Sequence, residues 1–208
     1  MIGILRYNAG NWGSVARAIR RLGISAATVE TADEMATVDG LVFPGAGAAR
    51  SAMDDLRSRG LIDPLRAFRK PFLGLCLGMQ LLMEFSEEGQ TECLGIVRGQ
   101  VRRMPDGVMS PHIGWNRLST GRYAYFVHRY VCVPEDRRVV TMTVEHGATL
   151  CAAIRQANYF GVQWHPEKSG STGDQFLQSF AALCGHSATS PALPTAPSSA
   201  CGRTESFA

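Results

Sequence analysis

One cysteine lies where a strand pattern changes into a helix pattern, with glycines on both sides. The apolar run 72–75 predicts a strand, and the apolar spacing over 79–83 predicts a helix. Gly74 and Gly78 stand two residues either side of Cys76, where side chains would clash in a sharp strand-to-helix turn. Such a turn presents the thiol at a helix N-terminus, where unpaired N–H groups favour a thiolate. The spacing therefore indicates a nucleophile, and the alternative is a buried structural cysteine.

A histidine that follows the last predicted strand, residues 159–164, is the candidate base. Pro166 fixes its own φ and pushes His165 towards extended geometry. On an extended segment His165 and Glu167 point to the same side, so the carboxylate can orient the imidazole. We therefore predict a catalytic triad of Cys76, His165 and Glu167. The alternative for the last two is a capped turn with a surface carboxylate.

The turn Gly45-Ala46-Gly47 follows a further predicted strand, residues 40–43. At the carboxyl end of a parallel strand, a glycine-rich turn exposes backbone N–H groups towards the crevice where such sheets bind ligands. We expect this turn beside Cys76, where it would supply one N–H to an oxyanion and Leu77 would supply the other. The alternative is an ordinary turn between a strand and a helix.

Strand and helix patterns alternate in the first half of the chain, and this predicts an α/β fold with a parallel sheet. We expect Ser14 to cap the first helix and the helix after Cys76 to run through Glu84. The second half is richer in strands. Residues 123–133 are expected to form one strand, and residues 139–144 and 150–155 an antiparallel pair.

Composition limits the class of protein. The 208 residues are 45% hydrophobic and 19% charged, which is typical of a globular domain, expected here at residues 1–185. Residues 186–208 are rich in Ser, Thr, Pro and Ala and are expected to lack packed structure. A net charge of +3 gives no indication of binding to nucleic acid or membrane. No apolar run has the length of a membrane span.

The cysteines and histidines show no metal-ligand spacing, so we expect neither a metal nor another cofactor. His112 and His128 lie in strand-like segments and are expected to be core or edge residues. The chain starts with a strand pattern and no signal peptide precedes it, so a reducing cytoplasm is the expected compartment.

Residues 74–80 together with His165-Pro166-Glu167 resemble the class I glutamine amidotransferases, which use a triad. Three further stretches, 111–116, 125–128 and 160–169, resemble the glutaminase subunits of imidazole glycerol phosphate synthase, and the resemblance covers about residues 1–184. It implies a flavodoxin-like three-layer fold, with a mostly parallel central sheet and added antiparallel strands in the second half.

The resemblance implies that Cys76 attacks the side-chain amide of glutamine and that ammonia passes to a barrel-shaped cyclase in a heterodimer. That partner would make imidazole glycerol phosphate and aminoimidazole carboxamide ribotide in histidine biosynthesis. Positions implied to bind glutamine are Gln80, His128, Arg129 and Tyr130. Positions implied to contact the cyclase are Asn11, Tyr125 and Lys168.

Arg129 departs from the family, which usually has a small hydroxylated residue there. If only its backbone contacts glutamine, little is lost, whereas an intruding side chain would weaken binding. Two alternatives to the main interpretation stay open. One is a glutaminase for another pathway, such as pyridoxal phosphate or guanylate synthesis, against which residues 111–116 argue. The other is a non-catalytic binding subunit in which Arg129 blocks glutamine.

Overall fold

The computed structural model describes residues 1–186, so the predicted tail lies outside the described residues except for His186. The strands are β1 (Ile2–Leu5), β2 (Ala26–Val29), β3 (Gly40–Phe43), β4 (Phe72–Leu75), β5 (Phe85–Ser86), β6 (Thr91–Glu92), β7 (Gly99–Arg103), β8 (His112–Arg117), β9 (Tyr123–His128), β10 (Tyr130–Pro134), β11 (Val140–Glu145), β12 (Thr149–Gln156) and β13 (Tyr159–Val162). The α-helices are α1 (Trp12–Arg21), α2 (Ala32–Thr37), α3 (Ala49–Ser58), α4 (Ile62–Ala67), α5 (Leu77–Gln80) and α6 (Gly170–Leu183). Within residues 1–186, no helix combines the length and apolar character that a bilayer crossing requires.

The central sheet has the strand order β11-β12-β13-β4-β3-β1-β2. The strands from β13 to β2 in that order pair in parallel, and β12 and β11 add to the β13 edge in antiparallel fashion. This is the predicted α/β architecture, with a mostly parallel sheet and antiparallel strands contributed by the second half. Because β3, β4 and β13 are parallel neighbours, the turns that follow them meet at one edge of the sheet.

Alternate residues of the central strands belong to two hydrophobic clusters, one on each face of the sheet. Phe43 and Phe72 pack in one cluster with buried residues of α3 and α4. Val42 and Leu73 pack in the other with buried residues of α1 and α6. A strand alternates its side chains with period two, so helices cover both faces and the fold has three layers.

The predicted strand over 123–133 is two strands, because the chain changes partners at Arg129. β9 pairs with β8 in a two-stranded ribbon, whereas β10 pairs with β7 in a separate four-stranded sheet, β10-β7-β5-β6. The apolar pattern continues across the break, so periodicity alone does not reveal it. The break leaves His128 and Tyr130 at the junction of two small sheets.

The prediction for the helix after Cys76 is wrong in length, since α5 ends at Gln80. The carbonyl groups of residues 81–83 accept hydrogen bonds from the N–H groups of residues 94–97 instead of continuing a helix. All three side chains are fully buried, so this apolar run is a buried connection rather than one face of an amphipathic helix.

The predicted start of the first helix is also wrong. α1 begins at Trp12, and the Ser14 hydroxyl accepts a hydrogen bond from Arg17 rather than capping the helix. Sequence reasoning missed α2, although Thr31 and Glu34 form a capping box at its start. The Thr-x-x-Glu spacing was the signal that could have located this helix.

Candidate active site

Cys76 occupies a sharp turn between β4 and α5. Its backbone has φ 51° and ψ −107°, a region that side-chain-bearing residues seldom adopt and that costs about 1–3 kcal/mol. A Cβ at Gly78 would overlap the carbonyl oxygen of Phe43 on β3, and one at Gly74 would lie 2.6 Å from the carbonyl oxygen of Gly78. The flanking glycines therefore let the turn pack directly against the neighbouring strand.

His165 lies three residues beyond the end of β13 and beside Cys76, with which it lines one cavity. Its Nδ1 and Oε1 of Glu167 are 2.9 Å apart, and both side chains are buried. The other ring nitrogen, Nε2, is buried and makes no hydrogen bond to nitrogen or oxygen within the described chain. The structure thus brings together the three residues predicted to form the triad.

The route by which Glu167 reaches His165 differs from the expected extended segment. Residues Pro166–Lys168 form a 3-10 turn that starts directly after an extended His165. Proline suits the first position of such a turn, because its missing N–H would have no partner there and its φ is already helical. The tight turn folds the carboxylate back towards the imidazole.

The His165 imidazole favours its charged form. Burial lowers the pKa of His165, but hydrogen bonds and charges from Cys76 and Glu167 outweigh burial and raise that pKa above its ordinary value of 6.5. A protonated imidazole next to a cysteine stabilises the thiolate, which is the nucleophilic form. The pair therefore has the arrangement of a nucleophile and its base.

A cavity of about 480 Å³ opens beside Cys76 and His165. The residues lining it are Asn11, Ala46, Gly47, Cys76, Leu77, Gln80, Glu88, Pro111, Ile113, Val127, His128, Arg129, Tyr130, His165 and Lys168. They include most of the residues that the sequence predicts for catalysis, oxyanion binding, glutamine binding and the interface.

Three predicted site residues lie behind or beside the lining. Glu167 contacts the far side of the His165 ring. Gly45 packs beneath the turn, where an added Cβ would overlap Leu77 and Gly78. Tyr125 lies beside the lining residue Lys168, whose ammonium is 5.7 Å from the centroid of the Tyr125 ring.

The two candidate sources of oxyanion N–H groups meet at the cavity. Ala46 and Gly47 line it from the turn after β3, and Leu77 lines it from the first position of α5. The first N–H groups of a helix have no intrahelical acceptor. Gly47 has φ 103°, a conformation that favours glycine and lets this turn bend beside the cysteine.

Gln80 is buried at the floor of the cavity. Its Nε2 donates to the Tyr130 carbonyl oxygen at 2.9 Å and to Oε1 of Gln163 at 3.0 Å. Both amide hydrogens are used in these bonds, so Oε1 is the atom that Gln80 can offer to a ligand.

His128 and His112 are buried and lie in hydrogen-bond contact, with Nε2 of His128 3.2 Å from Nδ1 of His112. Nδ1 of His128 donates to the Tyr130 carbonyl oxygen at 2.9 Å. Burial lowers the pKa of His128 to about 3 and that of His112 to about 4, so both rings are neutral. Since both ring nitrogens of His128 are engaged, its contact with a ligand is limited to its backbone or ring face.

Sequence reasoning missed several lining residues. Glu88 lies in the turn between β5 and β6, and its Oε2 accepts a hydrogen bond from the Ala49 N–H at 2.8 Å. Nothing in the spacing around Glu88 marks it, because only the fold brings that turn next to α3. Pro111 lies within a stretch that carries the family resemblance but had no predicted role, and the same is true of Ile113 and Val127.

The ribbon of β8 and β9 exposes apolar side chains beside the cavity. Ile113 pairs with Val127 and Trp115 pairs with Tyr125 across the ribbon. Trp115 is 57% exposed and Ile113 is 61% exposed. We call the side chains of Ile113, Trp115, Tyr125 and Val127 the ribbon face.

Comparison with known proteins gives concordant matches. The family described as "Glutamine amidotransferase class-I" matches residues 7–182. A protein of Geobacillus thermodenitrificans named imidazole glycerol phosphate synthase subunit HisH is 42% identical over 88% of this chain and 96% of its own length. A protein of the same name from Moorella thermoacetica is 39% identical over 89% of this chain and 96% of its own length.

Solved structures share the fold at lower identity. A crystal structure of a glutamine amidotransferase superposes with a TM-score of 0.73 at 21% identity, covering 88% of this chain and 98% of that one. A GMP synthase protein from Thermoplasma acidophilum has a TM-score of 0.68 at 18% identity, covering 89% of this chain and 94% of that one.

Proposed function

This chain belongs to the class-I glutamine amidotransferase family and, within it, to the HisH subunits of imidazole glycerol phosphate synthase in histidine biosynthesis, and we propose that Cys76, His165 and Glu167 carry out its hydrolysis of glutamine. The observation that carries this proposal is geometric: Cys76 and His165 line one cavity, and the buried Glu167 carboxylate lies 2.9 Å from Nδ1 of His165 on the other side of the ring. A charged imidazole held against a thiol is the arrangement that cysteine amidases need.

In the first half-reaction the Cys76 thiolate attacks the side-chain amide carbon of glutamine. The oxyanion that forms takes hydrogen bonds from the N–H of Leu77 and from the turn at Gly45, Ala46 and Gly47. The His165 imidazolium then gives its Nε2 proton to the amide nitrogen, the C–N bond breaks, and ammonia leaves. A γ-glutamyl thioester remains on the sulfur.

In the second half-reaction the neutral His165 takes a proton from water at Nε2. The resulting hydroxide equivalent attacks the thioester carbon, the C–S bond breaks, and glutamate leaves as the thiolate and imidazolium re-form. Glu167 holds the Nδ1–H of His165 in both steps, so that Nε2 always faces the reacting atoms.

Charges in the cavity fit free glutamine, which carries an ammonium and a carboxylate on its α-carbon. Glu88 supplies a carboxylate for the ammonium, and Arg129 supplies a guanidinium for the carboxylate. Gln80 offers Oε1 to an N–H group of the substrate. In this proposal the Arg129 side chain, where the family usually has a small residue, contributes to binding instead of blocking it.

We further propose that a barrel-shaped cyclase subunit binds over the ribbon face and receives the ammonia in a heterodimer. The relatives are named as subunits of a synthase, which calls for a partner. Exposed aromatic and branched side chains beside a cavity are typical of an interaction surface. Asn11 and Lys168 line the cavity near this face, where they can contact the partner and close the site. We place the complex in the cytoplasm, where a free catalytic thiol persists.

The alternative of a non-catalytic subunit requires a blocked cavity, whereas the cavity beside Cys76 is open at about 480 Å³. The alternative of another pathway conflicts with the relatives at 39% and 42% identity, which carry the synthase name. Guanylate synthesis has a neighbour of similar fold, but at 18% identity that likeness concerns the fold alone.

The test is Cys76→Ala in the complex with the cyclase. We expect glutamine-dependent synthesis to fall at least about a thousandfold, because the nucleophile is lost, while synthesis from added ammonia stays at the wild-type rate. Cys151→Ala, which removes a half-buried thiol on β12, is the matched control and should leave both rates unchanged. Loss of the ammonia-dependent rate, or survival of the glutamine-dependent rate, would contradict the proposal.

A further inference from the structure

Gln163 is a fully buried amide that lies between the nucleophile and the floor of the cavity. It follows β13, two residues before His165, and its side chain has no solvent contact. Its Nε2 is 3.6 Å from the sulfur of Cys76, and its Oε1 is 3.0 Å from Nε2 of Gln80. A buried amide that is not hydrogen-bonded costs stability, so both contacts matter to the fold.

A backbone carbonyl fixes the direction of these bonds. The Tyr130 carbonyl oxygen can only accept, so Gln80 must turn its NH2 group towards it, at 2.9 Å. The same NH2 group faces Gln163, so Gln163 must present its oxygen to Gln80. Gln163 is left with its NH2 group towards the Cys76 sulfur. Reversing either amide would set two donors against each other or two acceptors against each other.

The contacts of His128 and His112 agree with these donor and acceptor directions. Nδ1 of His128 donates to the second lone pair of the Tyr130 carbonyl, and His112 occupies the remaining ring nitrogen of His128. Asn116 in turn lies 3.2 Å from Nε2 of His112. The chain of bonds therefore runs from the ribbon through Tyr130 and Gln80 to Gln163, and it ends at the nucleophile.

We propose that Gln163 is a catalytic residue that donates an N–H hydrogen bond to the Cys76 sulfur and stabilises the thiolate. The proposal rests on the function proposed for Cys76. A thiolate accepts a hydrogen bond more strongly than a thiol does, since charge-assisted bonds are the strong ones. Gln163 thus adds a neutral donor to the stabilisation that the imidazolium supplies, and it orients the sulfur towards the cavity.

The other groups that influence the charge on the sulfur can be named. The titratable or charged side chains around it are those that line the cavity or contact His165, and two buried groups that interact with it electrostatically: Glu88, His128, Arg129, His165, Glu167 and Lys168, with Tyr7 and Cys132. Replacing Gln163 with the neutral methionine leaves all of them in place and adds no charge, so a change in thiolate formation in that variant reports the lost N–H donor.

The test compares the full-length wild-type chain with Gln163→Met and Gln163→Glu. Methionine has a similar shape but no N–H, and glutamate keeps an oxygen for Gln80 while losing the amide N–H. The rate of Cys76 alkylation by iodoacetamide is followed against pH by mass spectrometry of the Cys76 peptide. We expect Gln163→Met to shift the pH profile upwards by about one unit and to lower the rate at pH 7 about tenfold. Gln163→Glu, which also adds a negative charge beside the sulfur, should shift the profile at least as far.

In complex with the cyclase, we expect kcat for glutamine hydrolysis to fall about tenfold, with KM and the ammonia-dependent rate unchanged. Gln156→Met is the matched control, because it removes a half-buried amide on β12 that donates to the Ile96 carbonyl oxygen, away from the site. It should leave the alkylation profile as in the wild type.

An unchanged alkylation profile in either folded variant would overturn the proposal. If the profile is unchanged but the melting temperature falls, Gln163 has only a structural role. If Cys76→Ala still hydrolyses glutamine, the proposed function itself fails. If Cys76→Ala is inactive while Gln163 variants keep the wild-type profile, only the role of Gln163 fails.

Discussion

At the scale of single residues, the two nitrogens of His165 have unequal surroundings. Nδ1 faces a buried carboxylate at 2.9 Å, and Nε2 has no nitrogen or oxygen partner among the described residues. This inequality fixes the tautomer and leaves one nitrogen for proton transfer, so Glu167 acts through His165 and not on the substrate.

Replacing Glu167 with Gln should lower the pKa of His165. Burial lowers that pKa and Glu167 raises it, so loss of the carboxylate removes part of the stabilisation of the imidazolium. In the wild type we expect His165 to stay protonated well above pH 6.5, and in the variant to lose its proton at lower pH. The alkaline limb of the glutaminase pH profile should move down with it.

The measurement is an NMR titration of the histidine ring signals, with the His165 signal identified by its loss in His165→Asn. Glu145→Gln, an exposed carboxylate on β11, is the control and should leave the His165 titration unchanged. A His165 titration that is the same in Glu167→Gln and wild type would show that the carboxylate does not stabilise the imidazolium.

Site residues can be predicted from the sequence most reliably where the local backbone geometry permits only a few residue types. Cys76 between two glycines and His165 before a proline could be found because a sharp turn permits few residue types. Glu88 and Gln163 could not be given roles, since their position in the site depends on which loops and strands the fold brings together.

At the scale of elements, the turn after β4 is built against β3. A Cβ at Gly78 would overlap the Phe43 carbonyl oxygen, and Phe43 itself pairs with Gly74 on β4, directly before the turn. The sharp turn and the sheet therefore depend on each other for stability.

Gly78→Ala should destabilise the fold by about 1–3 kcal/mol, because the added methyl group has no space. Gly13→Ala is the matched control: Gly13 lies in α1, and an added Cβ there would come no closer than 3.6 Å to other atoms. It should be neutral or stabilising by up to about 1 kcal/mol. Urea unfolding of both variants measures the difference, and equal stability would contradict this description of the turn.

Periodicity predicted the central strands β3, β4, β11, β12 and β13, because each keeps the same neighbours over its whole length. It failed where the surroundings change within a run of similar residues. The stretch 123–133 keeps its apolar pattern while moving from one sheet to another at Arg129. Residues 81–83 are apolar on every side because they are enclosed, and the pattern does not distinguish that from a helix.

At the scale of the whole molecule, the ribbon face adjoins the mouth of the cavity. Ile113 and Val127 belong to both, so a partner that covers the face also covers the opening. Glutamine hydrolysis and delivery of ammonia would then occur in a shared enclosure.

Trp115→Ala should weaken binding to the cyclase at least about tenfold, because large exposed aromatic side chains supply much of the energy of an interface. Val133→Ala removes an apolar side chain that is 44% exposed on β10 and serves as the control, with no expected change. Calorimetric titration gives both affinities. Equal affinities for wild type and Trp115→Ala would place the interface elsewhere.

The central claim, that glutamine is cleaved on the Cys76 sulfur, is tested most directly by a glutamine analogue with an electrophile in place of its side-chain amide. Mass spectrometry of the labelled complex locates the adduct. We predict one covalent adduct, on Cys76, formed more slowly when glutamine is present as a competitor. An adduct on another residue, or labelling of Cys76 that glutamine does not slow, would contradict the claim.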